Sequence, residues 1–219
     1  MELPSLDWQF FYGRLAWATV LATLVAALLP AAWRRSRRAV AGVLLGAGAL
    51  MALPGQASPA YWLVLAFQWP STVLLGCCLL KLSMASRGSP AVVALPARLA
   101  AAIAITGLVL YLDAFGLLSL GLYYWGFSPY AAPFLALVAA ALCACAAVAG
   151  RARPHALVAL GALALYSIVR LPTGNLWDAL LDPLLWGWAL VSLGSKAARW
   201  LASKARRAGP AAETEPHIA

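Results

Sequence analysis

Two arginines and two aspartates lie inside long apolar runs, where charged side chains are rare. They are Arg14, Asp113, Arg170 and Asp182. A charge at the centre of a bilayer costs about 2.5–3.5 kcal/mol on insertion scales, so such residues usually pair with one another or line a polar cavity. Arg14 and Arg170 paired against Asp113 and Asp182 would form a net-neutral set. The pattern therefore indicates either a pocket for a polar or anionic ligand or a structural ion-pair network.

Counting residues from the ends of the apolar runs places these charges at one depth. Arg14 follows Trp8 by six residues, which is about 9 Å at the helical rise of about 1.5 Å per residue. Similar counts bring the other three charges, and Gln68, to within about 10 Å of the same boundary. We refer to the candidate ligand-binding residues as the polar layer, which comprises Arg14, Gln68, Asp113, Arg170, Asn175, Asp178 and Asp182.

The segment LPTGNLWDALLDP has an unusual density of turn and capping residues. Asn175 is a good helix N-cap, and Asp178 three residues later resembles a capping box. Pro183 lacks a backbone N–H, so the carbonyl of Ala179 loses its normal helical partner. Gln68 and Pro70 give another apolar run a similar polar-then-proline character. Interrupted polar helices line binding sites in transporters. The structural alternative is a capped helix with an ordinary proline kink.

The composition identifies the solvent around these elements as lipid. The chain has 219 residues, of which 64% are hydrophobic and 11% charged, whereas soluble domains have about 25% charged residues. We therefore predict an all-α, polytopic transmembrane bundle over residues 1–203. A basic and then disordered cytoplasmic tail is expected over 204–219. The first thirteen residues contain no Lys or Arg, unlike a secretory signal peptide.

Seven apolar runs are candidates for membrane spans of roughly 20 residues. They cover 8–32, 39–53, 61–82, 98–123, 130–149, 155–171 and 176–195. With the N-terminus outside, fourteen of the sixteen Lys and Arg residues lie in cytoplasmic loops or in the tail, and every second connection is basic. This positive-inside pattern predicts seven spans, N-out and C-in. Asp113 and Gly116 mark a possible break in the fourth run, and Tyr123 falls in an interfacial aromatic belt.

The remaining residue types predict no cofactor and no metal site. The formal net charge of +9 is expected to lie against anionic lipid head groups, and no nucleic-acid partner is predicted. C-C at Cys77 and C-x-C at Cys143 are not metal-ligand spacings. The alanine-rich composition with basic loops is typical of a bacterial inner membrane protein.

Three functional classes fit these observations, and no catalytic motif favours an enzyme. The preferred hypothesis is a non-catalytic accessory or scaffold subunit of an envelope-assembly or transport complex, with a membrane-protein partner. The first alternative is a small-solute or lipid transporter that uses the polar layer as its binding site. The second is a membrane enzyme acting on a lipid-linked or phosphate-bearing substrate. In that enzyme Asp113, Asp178 and Asp182 would bind a divalent cation, and Arg14 and Arg170 would hold phosphate.

Overall fold

The computed structural model of the protein describes residues 3–87 and 95–207, which are helical and contain no strand. A single 3-10 turn, Gly55–Ala57, accompanies the α-helices. The α-helices in these ranges are α1 (Leu6–Leu28), α2 (Ala31–Arg34), α3 (Arg37–Met51), α4 (Pro59–Phe67), α5 (Thr72–Ser86), α6 (Ala97–Ala114), α7 (Leu122–Trp125), α8 (Ala131–Val148), α9 (Arg153–Val169), α10 (Leu176–Leu180) and α11 (Pro183–Arg207). The predicted all-α class is confirmed for the described residues.

Three helices in the described ranges, α1, α6 and α8, are long and apolar enough to cross a membrane. Two shorter helices, α5 and α9, are also apolar. The most apolar 18-residue window is 56% buried in α1 but only 11% buried in α8. Helix α1 therefore lies in the interior of the bundle, whereas α8 presents most of its apolar surface outwards. The three apolar helices are those expected of a membrane-embedded protein.

The predicted third and seventh spans are each divided by a proline-containing break. The run 61–82 splits into α4 and α5, and the run 176–195 splits into α10 and α11. Pro70 and Pro183 lie at the two breaks, where the missing N–H prevents a continuous helical ladder. Gln68 ends α4 with φ of 62°, and Leu181 ends α10 in an extended conformation. Helix α11 continues to Arg207, into the predicted tail, and residues 208–219 lie outside the described ranges.

The predicted fourth span, 98–123, is shorter than expected. Helix α6 ends at Ala114, and a loop with left-handed Gly116 and Gly121 leads into the short α7. The break indicated by Asp113 and Gly116 is therefore present in the structure. It places Tyr123 on a separate element from the long helix.

The described helices form two groups, and the members of each group contact one another. Helix α1 contacts α3 and α5, α5 contacts α9, and α9 contacts α8 and α10. On another side, α6 packs along α11. The indole N–H of Trp186 donates to the carbonyl of Ala104 at 3.0 Å. A Cβ at Gly107 would lie only 2.3 Å from the Trp186 ring, so glycine permits this close approach. The α6–α11 contact fixes the end of α6 beside the break between α10 and α11.

Candidate functional site

The break between α4 and α5 is joined to the start of α11 by one buried carboxylate. Asp182 Oδ2 accepts the backbone N–H of Ser71 at 2.7 Å, and Asp182 Oδ1 accepts the N–H of Leu185 at 2.8 Å. The second bond caps the first turn of α11, whose N–H groups lack helical partners. Asp182 is 5% exposed. The predicted polar residue of the seventh span therefore holds two helix breaks against each other.

A second hydrogen bond runs between the breaks in the opposite direction. The Thr72 hydroxyl donates to the carbonyl of Ala179 at 2.7 Å. This is the carbonyl whose helical partner is removed by Pro183. Helix α1 completes the arrangement, because Trp17 donates to the carbonyl of Gln68 at 3.2 Å and Tyr12 to that of Pro70 at 2.7 Å. Backbone groups freed inside the bundle are thus satisfied by neighbouring helices, as a low-dielectric environment requires.

A cavity of about 260 Å³ lies beside the two breaks, and we call it the helix-break cavity. Its wall comes from both breaks, the end of α6, the start of α7 and the α9–α10 connection. The residues with polar side chains that line it are Gln68, Tyr111, Tyr123, Thr173, Asp178 and Asp182, together with the indoles of Trp69 and Trp177. Three residues of the predicted polar layer therefore share one cavity.

Asp178 is held at the cavity wall by two hydroxyl donors. Tyr123 Oη lies 3.0 Å from Asp178 Oδ1, and Thr173 Oγ1 lies 2.5 Å from Asp178 Oδ2. Burial, followed by the negative charge of Asp178, raises the pKa of the Tyr123 hydroxyl. Tyr123 therefore stays protonated and donates to the carboxylate. Tyr123 was predicted to lie in an interfacial belt, and this contact was not predictable from the sequence, because it joins α7 to α10 across 55 positions.

Asn175 serves as the predicted N-cap and does not line the cavity. Its Oδ1 accepts the N–H of Trp177 at 2.9 Å, and its Nδ2 donates to the carbonyl of Tyr123 at 3.3 Å. Asn175 is fully buried, and a Cβ at Gly126 would fall 1.8 Å from its Oδ1. Asn175 therefore joins α10 to α7 and supports the positions of Tyr123 and Asp178.

Asp113 also has a structural role. Its Oδ1 accepts the N–H groups of Leu120 and Gly121, and its Oδ2 accepts the N–H of Tyr123, each at 2.9 Å. One carboxylate thus closes the loop from α6 to α7. The alternative of a structural ion-pair network with Arg14 and Arg170 does not describe these two aspartates, because the hydrogen bonds that Asp113 and Asp182 accept come from backbone N–H groups.

The two arginines lie outside the helix-break cavity. Arg14 is exposed on α1 and lines a separate, largely apolar cavity of about 300 Å³ with Phe10 and Tyr61. Arg170 ends α9 with φ of 58°, and its guanidinium lies 4.9 Å from the ring centroid of Tyr166. A similar depth along the membrane normal therefore did not bring the arginines to the aspartates.

Tyr111 is the cavity residue with an unsatisfied polar atom. Its hydroxyl oxygen is buried and has no hydrogen-bond partner among the described residues. The ring packs edge-on against Trp186, with centroids 5.3 Å apart, while the residue also lines the cavity. Sequence reasoning did not select Tyr111. The available signal was its position two residues before Asp113, at the end of an apolar run.

The five residues assigned to the metal-dependent enzyme do not converge on one cavity in the described part of the chain. No group of three His, Cys, Asp or Glu residues in these ranges is arranged to hold a metal ion. Asp113 directs its carboxylate to the backbone of a loop, and neither arginine of the hypothesis lines the cavity. What the site offers chemically is two carboxylates, hydroxyl groups and aromatic rings around a small volume.

Comparison with known proteins found no matching family model, no matching curated protein and no matching solved structure.

Proposed function

We propose that this protein binds a small polar solute in the helix-break cavity and carries it across the membrane. The observation that supports this proposal is the pairing of two interrupted helices around a polar cavity. Asp182 accepts from Ser71 across the breaks, and Thr72 donates to Ala179 in return. Discontinuous helices that meet at a binding site are a recurring feature of secondary transporters.

The size of the cavity indicates a small solute. A volume of about 260 Å³ holds about nine water molecules at the liquid volume of about 30 Å³ each. It falls just below the range of about 300–1,000 Å³ that is usual for ligand pockets. A solute of a few heavy atoms fits this volume, whereas a lipid tail or a lipid-linked sugar chain does not.

The topology that accompanies this proposal has seven spans, with the N-terminus outside. The spans are α1, α3, α4 with α5, α6, α8, α9, and α10 with α11. The positive-inside rule supports this arrangement, because the basic clusters then share the cytoplasmic side, against anionic lipid head groups. The helix-break cavity would open towards the outer face. Residence in a bacterial inner membrane is part of the same proposal and rests on composition.

The accessory or scaffold role stays a prediction from composition, and it requires a membrane-protein partner. The helix-break cavity favours transport over that role, since a purely structural subunit has no need of a polar, partly open volume. Helix α8 presents a largely apolar surface outwards, because its most apolar 18-residue window is only 11% buried. Lipid alone is sufficient to cover such a surface.

Cysteine labelling tests whether the cavity is reached from both sides of the membrane. The four native cysteines are first replaced by alanine, and Ala66→Cys is introduced in the cavity wall. A membrane-impermeant maleimide is applied to right-side-out and to inside-out vesicles. We expect the Ala66→Cys thiol to react in both preparations, because a transporter exposes its site to each side in turn.

The matched control is Ile105→Cys on α6. The Ile105 side chain is 64% exposed on the side of the helical bundle and does not line the cavity. In a membrane this position faces lipid, so we expect no reaction in either preparation. Labelling of the Ala66→Cys thiol from one side alone, with or without added solutes, would contradict transport.

A further inference from the structure

The charges around the helix-break cavity are all of one sign. Asp178 and Asp182 line it, whereas no Lys, Arg or His side chain among the described residues does. Among the described residues, both carboxylates accept hydrogen bonds from neutral donors. The donors are backbone N–H groups for Asp182 and the hydroxyls of Tyr123 and Thr173 for Asp178. Hydrogen bonds donated to both oxygens of a carboxylate favour its ionised form.

The two carboxylates differ in how their charge is offset. Asp182 accepts backbone N–H groups at two helix breaks, whereas Asp178 accepts from hydroxyl groups. Burying a charge is expensive unless a partner of opposite sign is present. Arg14 and Arg170, the arginines predicted to lie at the same depth, are placed outside this cavity. The missing positive charge is therefore the property that a ligand of this cavity would supply.

Aromatic side chains form much of the rest of the wall. Phe67, Trp69, Tyr111, Tyr123 and Trp177 line the same volume as the two aspartates. Aromatic faces attract cations through the ring quadrupole, and this attraction is strongest at desolvated sites. A strongly hydrated metal ion prefers a shell of oxygen ligands. Aromatic walls beside carboxylates instead suit a weakly hydrated organic cation.

We propose that the solute bound in the helix-break cavity is a small organic cation with an ammonium group. This inference rests on the proposed function and specifies its ligand. The Asp178 carboxylate carries the charge contact, and the aromatic rings cover the alkyl substituents of the ammonium. The ring of Tyr111 contributes a further aromatic face to this wall.

Titration of the purified full-length protein in uncharged dodecyl maltoside micelles tests the ligand class. The probe is choline, and its control is 3,3-dimethyl-1-butanol, which has the same shape with a neutral carbon in place of nitrogen. We expect choline to bind in isothermal titration calorimetry and to raise the temperature of thermal unfolding. The neutral analogue should bind at least about tenfold more weakly, because it lacks the charge contact. Equal binding of the two compounds would overturn the proposal.

Two variants locate the binding. Asp178→Asn keeps the size of the side chain and removes its charge, and we expect choline to bind about tenfold more weakly. Phe67→Leu removes one aromatic ring at a side chain that is 43% exposed, and a loss of about threefold is expected. Asp7→Asn is the matched control, since it makes the same charge change at an exposed position of α1. Unchanged choline affinity in both Asp178→Asn and Phe67→Leu would place the cation elsewhere.

The ammonium group can come from a free solute or from a lipid head group. Dihexanoyl-phosphatidylcholine, used below its micellar concentration, separates the two sources. If the ligand is a free cation, choline binds at least as tightly as this short-chain lipid. Tenfold tighter binding of the lipid would overturn the proposal that the ammonium group belongs to a free solute.

The labelling of Ala66→Cys keeps the two proposals distinguishable. Reaction from both sides without choline binding would reject the organic cation and leave transport standing. Choline binding with reaction from one side only would support the cation site and reject transport.

Discussion

At the scale of single residues, charged side chains inside the bundle act mainly as ligands of the backbone. Asp113 accepts three N–H groups of one loop, and Asp182 accepts one N–H from each of two helix breaks. Charge-assisted bonds of this kind are roughly twice as strong as neutral ones. An intramembrane aspartate can therefore be tolerated without an arginine, when interrupted helices present free N–H groups to it.

The arginines lie away from the aspartates for a geometric reason. Counting residues gives the height of a side chain along the membrane normal but not its direction around the helix axis. Arg14 and Asp113 share a height by this count, yet Arg14 is exposed on α1 and Asp113 is buried at the end of α6. Asn175 was predicted correctly as a cap, because capping depends on residues close in sequence.

A double-mutant cycle between Arg14 and Asp113 tests this assignment. Asp113→Ala leaves three loop N–H groups without their acceptor, and we expect a loss of at least about 2 kcal/mol in the free energy of unfolding. Arg14→Ala changes an exposed side chain, so its effect should remain within about 0.5 kcal/mol. The measurement is unfolding by sodium dodecyl sulfate in mixed micelles.

The two effects should add to within about 0.5 kcal/mol in the double variant, as expected for residues without shared partners. A coupling energy above about 1 kcal/mol would restore the predicted ion pair.

At the scale of elements, each of the two helix breaks supplies hydrogen-bond partners for the free backbone groups of the other. The sequence showed where helices were weakened, since Pro70 and Pro183 are visible in it. It could not show that the freed groups of one break find partners at the other, because Ser71 and Asp182 are separated by 111 positions. Long-range pairing of this kind depends on which helices are neighbours, and hydropathy carries no information on that.

Replacing Thr72 tests the link between the breaks. Thr72→Val keeps the shape of the side chain but removes the hydroxyl that donates to Ala179. The carbonyl then stays buried without a partner, and we expect a loss of about 1–2 kcal/mol in the free energy of unfolding. Thr72→Ser retains the donor and is the matched control, for which less than half of that loss is expected. No loss in Thr72→Val together with a clear loss in Thr72→Ser would show that packing of the methyl group, rather than the hydrogen bond, stabilises the breaks.

At the scale of the whole molecule, composition was sufficient for the helical membrane class, and the apolar runs located most of the helices. The predicted runs 130–149 and 155–171 correspond to α8 and α9, with ends that differ by one or two residues. The helix-break cavity was not predictable, because its wall combines side chains from segments far apart in the sequence. Tyr111 reaches the cavity through the packing of α6 on α11, and Thr173 reaches it from the connection between α9 and α10.

The seven-span topology depends most on α3, which has 15 residues and is flanked by the cluster 34–38 and the turn at Gly55. If α3 spans, its two ends lie on opposite sides of the membrane. Cysteines at Ala32 and Gln56, both exposed, report on these ends without removing any basic residue. In the cysteine-free background, we expect an impermeant maleimide to label Gln56→Cys in intact cells and Ala32→Cys only after permeabilisation.

Ala149→Cys, next to the basic cluster 151–153, should likewise be labelled only after permeabilisation. Labelling of Ala32→Cys and Gln56→Cys from the same side would show that α3 does not span the membrane. The basic clusters at 34–38 and 151–153 would then face opposite sides, and the positive-inside argument for seven spans would fail with it.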